Sequence, residues 1–239
     1  MSNNVQTDHK TNNITTLHRY KTQFNADSVE WCPHDPYRHF FVCANYQFTE
    51  TQQRIGLILL FSLTSSNELK LWQTIDTSAV LDQKWCPNCP ILAVVNASST
   101  IEIYKLSAHL ELITSLTLSC EALILSVDWS NEHEIICSDS RGSWHKLKFD
   151  QNELRLQDSY KAHEFEAWIA AFYYWNTSIF YTGGDDAVLL MFDMRSGTAP
   201  ISKNRSHEAG VTSVHANRNK EFQIVTVTMR MCDFGMYVI

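Results

Sequence analysis

Positive charge is scarce in this chain. Its 239 residues carry 19 Lys and Arg against 26 Asp and Glu, a net charge of −7 that ten His cannot reverse at neutral pH. The basic footprint that duplex nucleic acid demands is missing, so no nucleic-acid partner is expected. Long apolar runs are missing too. The longest, residues 55–61, covers seven positions, where a bilayer span needs roughly 20; no membrane partner is expected. Residues 1–13 are polar and rich in Asn and Thr, without the basic and apolar regions of a secretion signal. Seven Cys, an odd number at scattered spacings, fit a reducing compartment better than a disulfide framework. These absences point to a cytoplasmic globular protein. A composition of 44% hydrophobic and 12% aromatic residues, with seven Trp, excludes disorder.

What the chain has instead is a repeat. An apolar stretch runs into Trp, or an equivalent residue, and then into a polar turn at Trp31, Trp85, Trp129, Trp175 and His215, at intervals of 54, 44, 46 and 40 residues. A period of about 40–45 with several strands per unit is the signature of a propeller. Each landmark is followed by a β-branched and aromatic run, at residues 40–45, 91–96, 134–138, 179–182 and 222–227. A third run covers 56–63, 101–106, 143–149 and 188–193, and a more polar fourth covers 69–75, 110–118 and 154–160. The fold class expected is all-β, a β-propeller of about four and a half four-stranded blades. It occupies residues 14–228, after a disordered N-terminus at 1–13. Residues 14–21 read as an extra strand which, in a closed propeller, would complete the last blade.

The fourth unit is the most specific. Ala162-His163-Glu164-Phe165-Glu166-Ala167-Trp168-Ile169-Ala170-Ala171-Phe172 is followed by Tyr181-Thr182-Gly183-Gly184-Asp185-Asp186 and by Phe192-Asp193. His163 holds the Gly-His position of a WD repeat, Asp186 the turn Asp, and Phe192-Asp193 the place of Trp-Asp. This segment resembles the WD-repeat diphthine methyl ester hydrolases of diphthamide biosynthesis. So do Ala26 to Pro33, Asp76 to Asp82, Lys84-Trp85-Cys86, Ser126 to Ser130 and His207 to Ser213. The resemblance implies a cofactor-free esterase. Its substrate would be the methyl ester of methylated diphthine on the modified histidine of translation elongation factor 2, and the intact protein would be a monomer. A propeller scaffold that docks partners through its loop face without chemistry remains the alternative, because fold alone fixes no function.

Ester hydrolysis needs a nucleophile, a base and donors for an oxyanion. No G-x-S-x-G elbow occurs among the seven Gly, so water activated by a carboxylate or His is the simpler expectation. Asp185, His163 and Glu164 are the catalytic candidates. His163 has a second reading, as the WD-repeat histidine bonded to Asp186, and Asp185 as a solvated turn residue. Glu166, Trp168 and Asp139 are candidates for substrate binding: carboxylates and an aromatic face suit a quaternary ammonium group, with core packing the other reading of Trp168. Asp186 and His207 are expected to be structural. No metal is expected. Cys86-Pro87-Asn88-Cys89 has C-x-x-C spacing but no second ligand pair, and Trp85-Cys86-Pro87 repeats Trp31-Cys32-Pro33.

After Thr226 the repeat pattern gives out. Residues 229–239 do not read as a blade, and a codon assignment compatible with them yields, in a shifted frame, a strand ending in Trp-Asp. The expectation is an aberrant, frame-shifted tail. A propeller stopping there would have two open edges and a tendency to associate.

Overall fold

The computed structural model describes residues 15–130, 133–229 and, as backbone, 234–238. These form five antiparallel sheets in chain order, each a meander in which consecutive strands pair. The first contains β1 (Asn25–Trp31), β2 (Phe40–Phe48), β3 (Arg54–Leu63) and β4 (Leu69–Ser78), and the second β5 (Val80–Trp85), β6 (Ile91–Asn96), β7 (Thr100–Leu106) and β8 (Leu110–Thr117). The third contains β9 (Ile124–Trp129), β10 (Glu134–Asp139), β11 (Ser143–Asp150) and β12 (Glu153–Lys161). The fourth contains β13 (Ala167–Phe172), β14 (Ile179–Gly184), β15 (Leu189–Asp193) and β16 (Ser202–Asn204). The fifth contains β17 (Gly210–Ala216), β18 (Ile224–Met229) and β19 (Phe234–Val238).

The middle strands are apolar along their length because each sheet is covered on both faces. In β3, seven consecutive residues from Gly56 to Ser62 are buried. The outermost strands face solvent and are polar, as in β12. Four apolar layers fill the gaps between successive blades. Val42 and Ile58 meet Val80 and Leu92; Ile101 and Ile103 meet Ile135 and Leu147; Ile136 and Trp144 meet Phe180 and Phe192; Leu189 meets Val211 and Ile224. At about 1.5–3 kcal/mol for each fully buried large side chain, these layers hold the blades together.

Polar clasps add register. The indole N–H of Trp129 donates to the Lys84 carbonyl at 3.0 Å. Oδ2 of Asp82 accepts the Val127 N–H at 2.9 Å, and Oδ2 of Asp128 accepts the Phe172 N–H at 2.8 Å. β5 thus takes hold of β9, and β9 of β13.

Four expectations change. The innermost strands end at Trp31, Trp85, Trp129, Phe172 and Ala216, so Phe172, not Trp175, is the fourth landmark. Phe172 pairs with Phe180 in the ladder, and the chain has turned before Trp175. Residues 15–22 contain no strand; Tyr20 packs edge-on against Phe61 at 4.8 Å. Phe222 lies in the turn before β18 and is 82% exposed. Finally, β19 pairs with β18 as a third strand, where the repeat pattern is lost in the sequence. The N-terminal segment 1–13 lies outside the described residues.

Candidate functional site

The loop between β12 and β13 and the turn between β14 and β15 lie at one end of the fourth blade. The backbone N–H of Asp185 donates to the Glu166 carbonyl at 2.9 Å, joining the two. His163 is 2% exposed. Its Nδ1 is 2.9 Å from Oδ1 of Asp186 and its Nε2 is 2.8 Å from Oγ1 of Thr182, which is wholly buried. Burial pushes the His163 pKa below its ordinary value, although the Asp186 carboxylate pulls it the other way. A neutral ring with its proton on Nδ1 satisfies both partners, and the Thr182 hydroxyl then donates to Nε2. Gly184 leaves the room: a Cβ there would stand 2.5 Å from His163 Nδ1. His163 is locked on both sides. The threonine half of this lock recurs in the fifth blade, where His207 Nε2 lies 2.8 Å from Oγ1 of Thr226, also 19 residues away. Asp186 and His207 thus each hydrogen-bond within their own blade.

Asp185, Glu164 and Trp168 are exposed, and Glu166 is half-buried. Trp168 projects because the ladder between β13 and β14 slips between Ala167 and Ile169, a bulge that re-aims its side chain. Its indole N–H donates to Oδ1 of Asp185 at 3.2 Å. Trp168 is 38% exposed, so it does not serve as core packing. Gly210 borders the pair, since a Cβ there would stand 2.6 Å from Asp185 Oδ1. Beside the loop lies a cavity of about 300 Å³ that carries positive charge, lined by Lys161, Lys203 and Arg205 together with His163, Glu164 and Asp186.

Asp139 is a correction. It is 1% exposed, and both oxygens are engaged within the third blade. Oδ1 accepts the N–H groups of Arg141 and Ser143 at 2.9 and 2.8 Å, and Oδ2 lies 2.9 Å from Nε2 of His145. Burial raises its pKa, but these three donors outweigh burial and hold it below the usual carboxylate range. His145 in turn places Nδ1 2.8 Å from the hydroxyl of Ser159. Cys120 brings its sulfur close, so that the ligand-type atoms of Cys120, Asp139 and His145 lie within 4.8 Å of one another. None of this network except Asp139 had been singled out from the sequence. Cys86 and Cys89 place their sulfur atoms 3.2 Å apart at the foot of the second blade.

Consecutive four-stranded antiparallel blades, clasped along their inner strands, with a buried His–Asp–Thr lock in the fourth, define a WD-repeat β-propeller. A chain in the solved structure described as "Crystal Structure of Mitotic Checkpoint Complex" shares the fold, with a TM-score of 0.65 at 17% identity over 96% of this chain and 70% of that one. No family model matches the sequence. Curated relatives do match. Diphthine methyltransferase of Mus musculus is 37% identical over 89% of this chain and 52% of its own length, and that of Homo sapiens is 35% identical over 88% and 56%. The diphthine methyltransferase homolog of Dictyostelium discoideum is 30% identical over 87% of this chain and 68% of its own length. The chain belongs to the diphthine methyltransferase family. It spans about half the length of the mouse and human proteins. Among the described residues no helix is long and apolar enough to cross a membrane.

Proposed function

We propose that this chain forms the propeller of an enzyme that hydrolyses the methyl ester of methylated diphthine on translation elongation factor 2. Water is consumed, methanol leaves, and the carboxylate needed for later amidation remains. A translation factor as substrate puts the reaction in the cytoplasm.

The observation that carries this reading is the Trp168–Asp185 pair. An exposed aromatic face tied to an exposed carboxylate, with Glu164 and Glu166 on the adjoining loop, suits the quaternary ammonium group of the substrate. A cation over such a ring gains roughly 0.5–2 kcal/mol, the larger figure when desolvated. Asp185, Glu164 and Glu166 hold that cation and so orient the ester. His163 takes no part in the chemistry, because the hydroxyl it faces, on Thr182, is wholly buried.

The test is methanol release from purified factor carrying methylated diphthine. Asp185→Asn and Trp168→Ala should each raise KM about tenfold, as loss of about 1.4 kcal/mol of binding requires, while kcat stays within a few-fold. No methanol from the parent chain, or an unchanged KM in both variants, would sink the reading.

A further inference from the structure

The proposed reaction needs a nucleophile, and the rim of carboxylates offers only water. One blade earlier the structure holds a different arrangement. We infer that Ser159, His145 and Asp139 form a nucleophilic relay that carries the ester hydrolysis through a covalent acyl-serine; this rests on the reaction proposed above.

The polarity of the relay follows from its innermost member. Asp139 is buried and kept ionised by its backbone donors, and a carboxylate can only accept. In the neutral imidazole of His145 the single proton therefore sits on Nε2, facing Oδ2 of Asp139 at 2.9 Å. That leaves Nδ1 with its lone pair, 2.8 Å from the Ser159 hydroxyl, which must donate. Serine to imidazole to buried carboxylate is the order that activates a hydroxyl nucleophile, here with the two ring nitrogens exchanged. The His163 lock has the same electronics, but its hydroxyl belongs to Thr182, which no substrate can reach. Ser159 is exposed. Exposure, not hydrogen bonding, separates a relay from a lock.

Position agrees. β12 is the edge strand of its sheet, so half of its N–H groups point away from β11 and are available to an oxyanion. It runs directly into the loop that carries Glu164 and Glu166. Across that junction the turn after Asp139 abuts the loop: a Cβ on Gly142 would stand 2.3 Å from the Phe165 carbonyl oxygen. The relay and the cation-holding rim therefore share one end of the molecule. Cys120 brings a third ligand-type atom into this cluster, and labelling with and without a chelator distinguishes a relay from a metal centre.

The chemistry balances without a cofactor. Ser159 Oγ bonds to the ester carbon as its proton passes to Nδ1. The bond to the methoxy oxygen then breaks, and that oxygen leaves as methanol with the same proton. Water repeats the cycle on the acyl-serine, giving its proton to Nδ1, and Oγ recovers it as the carboxylic acid departs.

The test is a fluorophosphonate probe, which phosphonylates an activated serine oxygen with loss of fluoride. The 239-residue chain should label at Ser159, read by peptide mass spectrometry, with or without a chelator. Ser159→Ala should not label, and Asp139→Asn should label more slowly by roughly 10³-fold or more. Methanol release should fall at least as far in Ser159→Ala, whose melt should match the parent's because the side chain is exposed. No label on Ser159 in the parent chain, or loss of label on chelation, overturns the relay. Undiminished methanol release by Ser159→Ala also overturns it and leaves the proposed reaction standing. Label on Ser159 with no methanol from the parent upholds the relay and rejects the proposed substrate.

Discussion

The Trp168 indole and the Asp185 carboxylate hold each other at 3.2 Å across the end of the fourth blade, both open to solvent. Two exposed groups that fix each other's orientation present a ready-made edge to a cation, at little cost in side-chain entropy on binding.

Trp168→Phe separates the two roles of this residue. The ring remains and the N–H is lost, so binding of tetramethylammonium, followed by NMR line broadening, should weaken by only a few-fold. Trp168→Ala should abolish it. Equal effects of the two variants would show that the ring itself is not the contact.

Gly184→Ala should lower stability by about 1–3 kcal/mol, because the new methyl is forced against the His163 ring. Thermal melts of the purified chain would read this directly. A melt unchanged from the parent would mean that the His163 lock does not hold the blade.

Phe192→Ala should cost about 3–5 kcal/mol. Phe192 is fully buried, stacks on Phe180 with ring centroids 4.9 Å apart, and takes the edge of Trp144 from the preceding blade at 5.6 Å. Denaturant titration should show a lower midpoint. A loss below about 1 kcal/mol would show that the layer between the third and fourth blades contributes little.

Acidity should act on the inner clasps with a definite sign. Burial pushes Asp82 up to about 7 and Asp128 up to about 6, against the N–H donors and the Lys84 ammonium that favour their charged forms. Between the ordinary value of 3.8 and these values the folded chain binds more protons than the unfolded one, so their contribution to stability falls as pH rises. It is complete below 3.8 and lost by about 7. His163 works the other way: its lowered pKa gives a contribution complete above 6.5 and lost as pH falls below it. Comparing the parent with Asp82→Asn isolates the first effect. The stability of the parent should drop more than that of the variant between pH 4 and 7, and identical slopes would show that Asp82 titrates as if exposed.

The blades were legible because their middle strands are dense in β-branched and aromatic residues bounded by turns. β16 was not, since Ser202, Lys203 and Asn204 carry no apolar alternation. Trp175 misled because it stands beside Tyr173 and Tyr174, so its neighbourhood looks like a strand end; its indole N–H instead reaches the Asn217 carbonyl, in the turn after β17. The Ser159–His145 contact was hidden by register. A regular hairpin continued from Asp150 paired with Glu153 would put Asp158 opposite His145. The irregularity between Lys146 and Leu147 brings Ser159 there instead. A one-residue slip changes which side chains share a face, and no local pattern announces it.

The bulge that frees Trp168 is not unique to its blade. The ladder slips at the corresponding place on every inner strand, around Asp27 and Ser28, Leu81, Leu125, Trp168 and Thr212. Each blade thus keeps at its mouth a position excused from pairing, whose side chain the sheet does not dictate. Together these positions form a series of interchangeable parts along one end of the blades. A replacement there alters the surface at the end of the blade while the ladders and layers below it stay as they were.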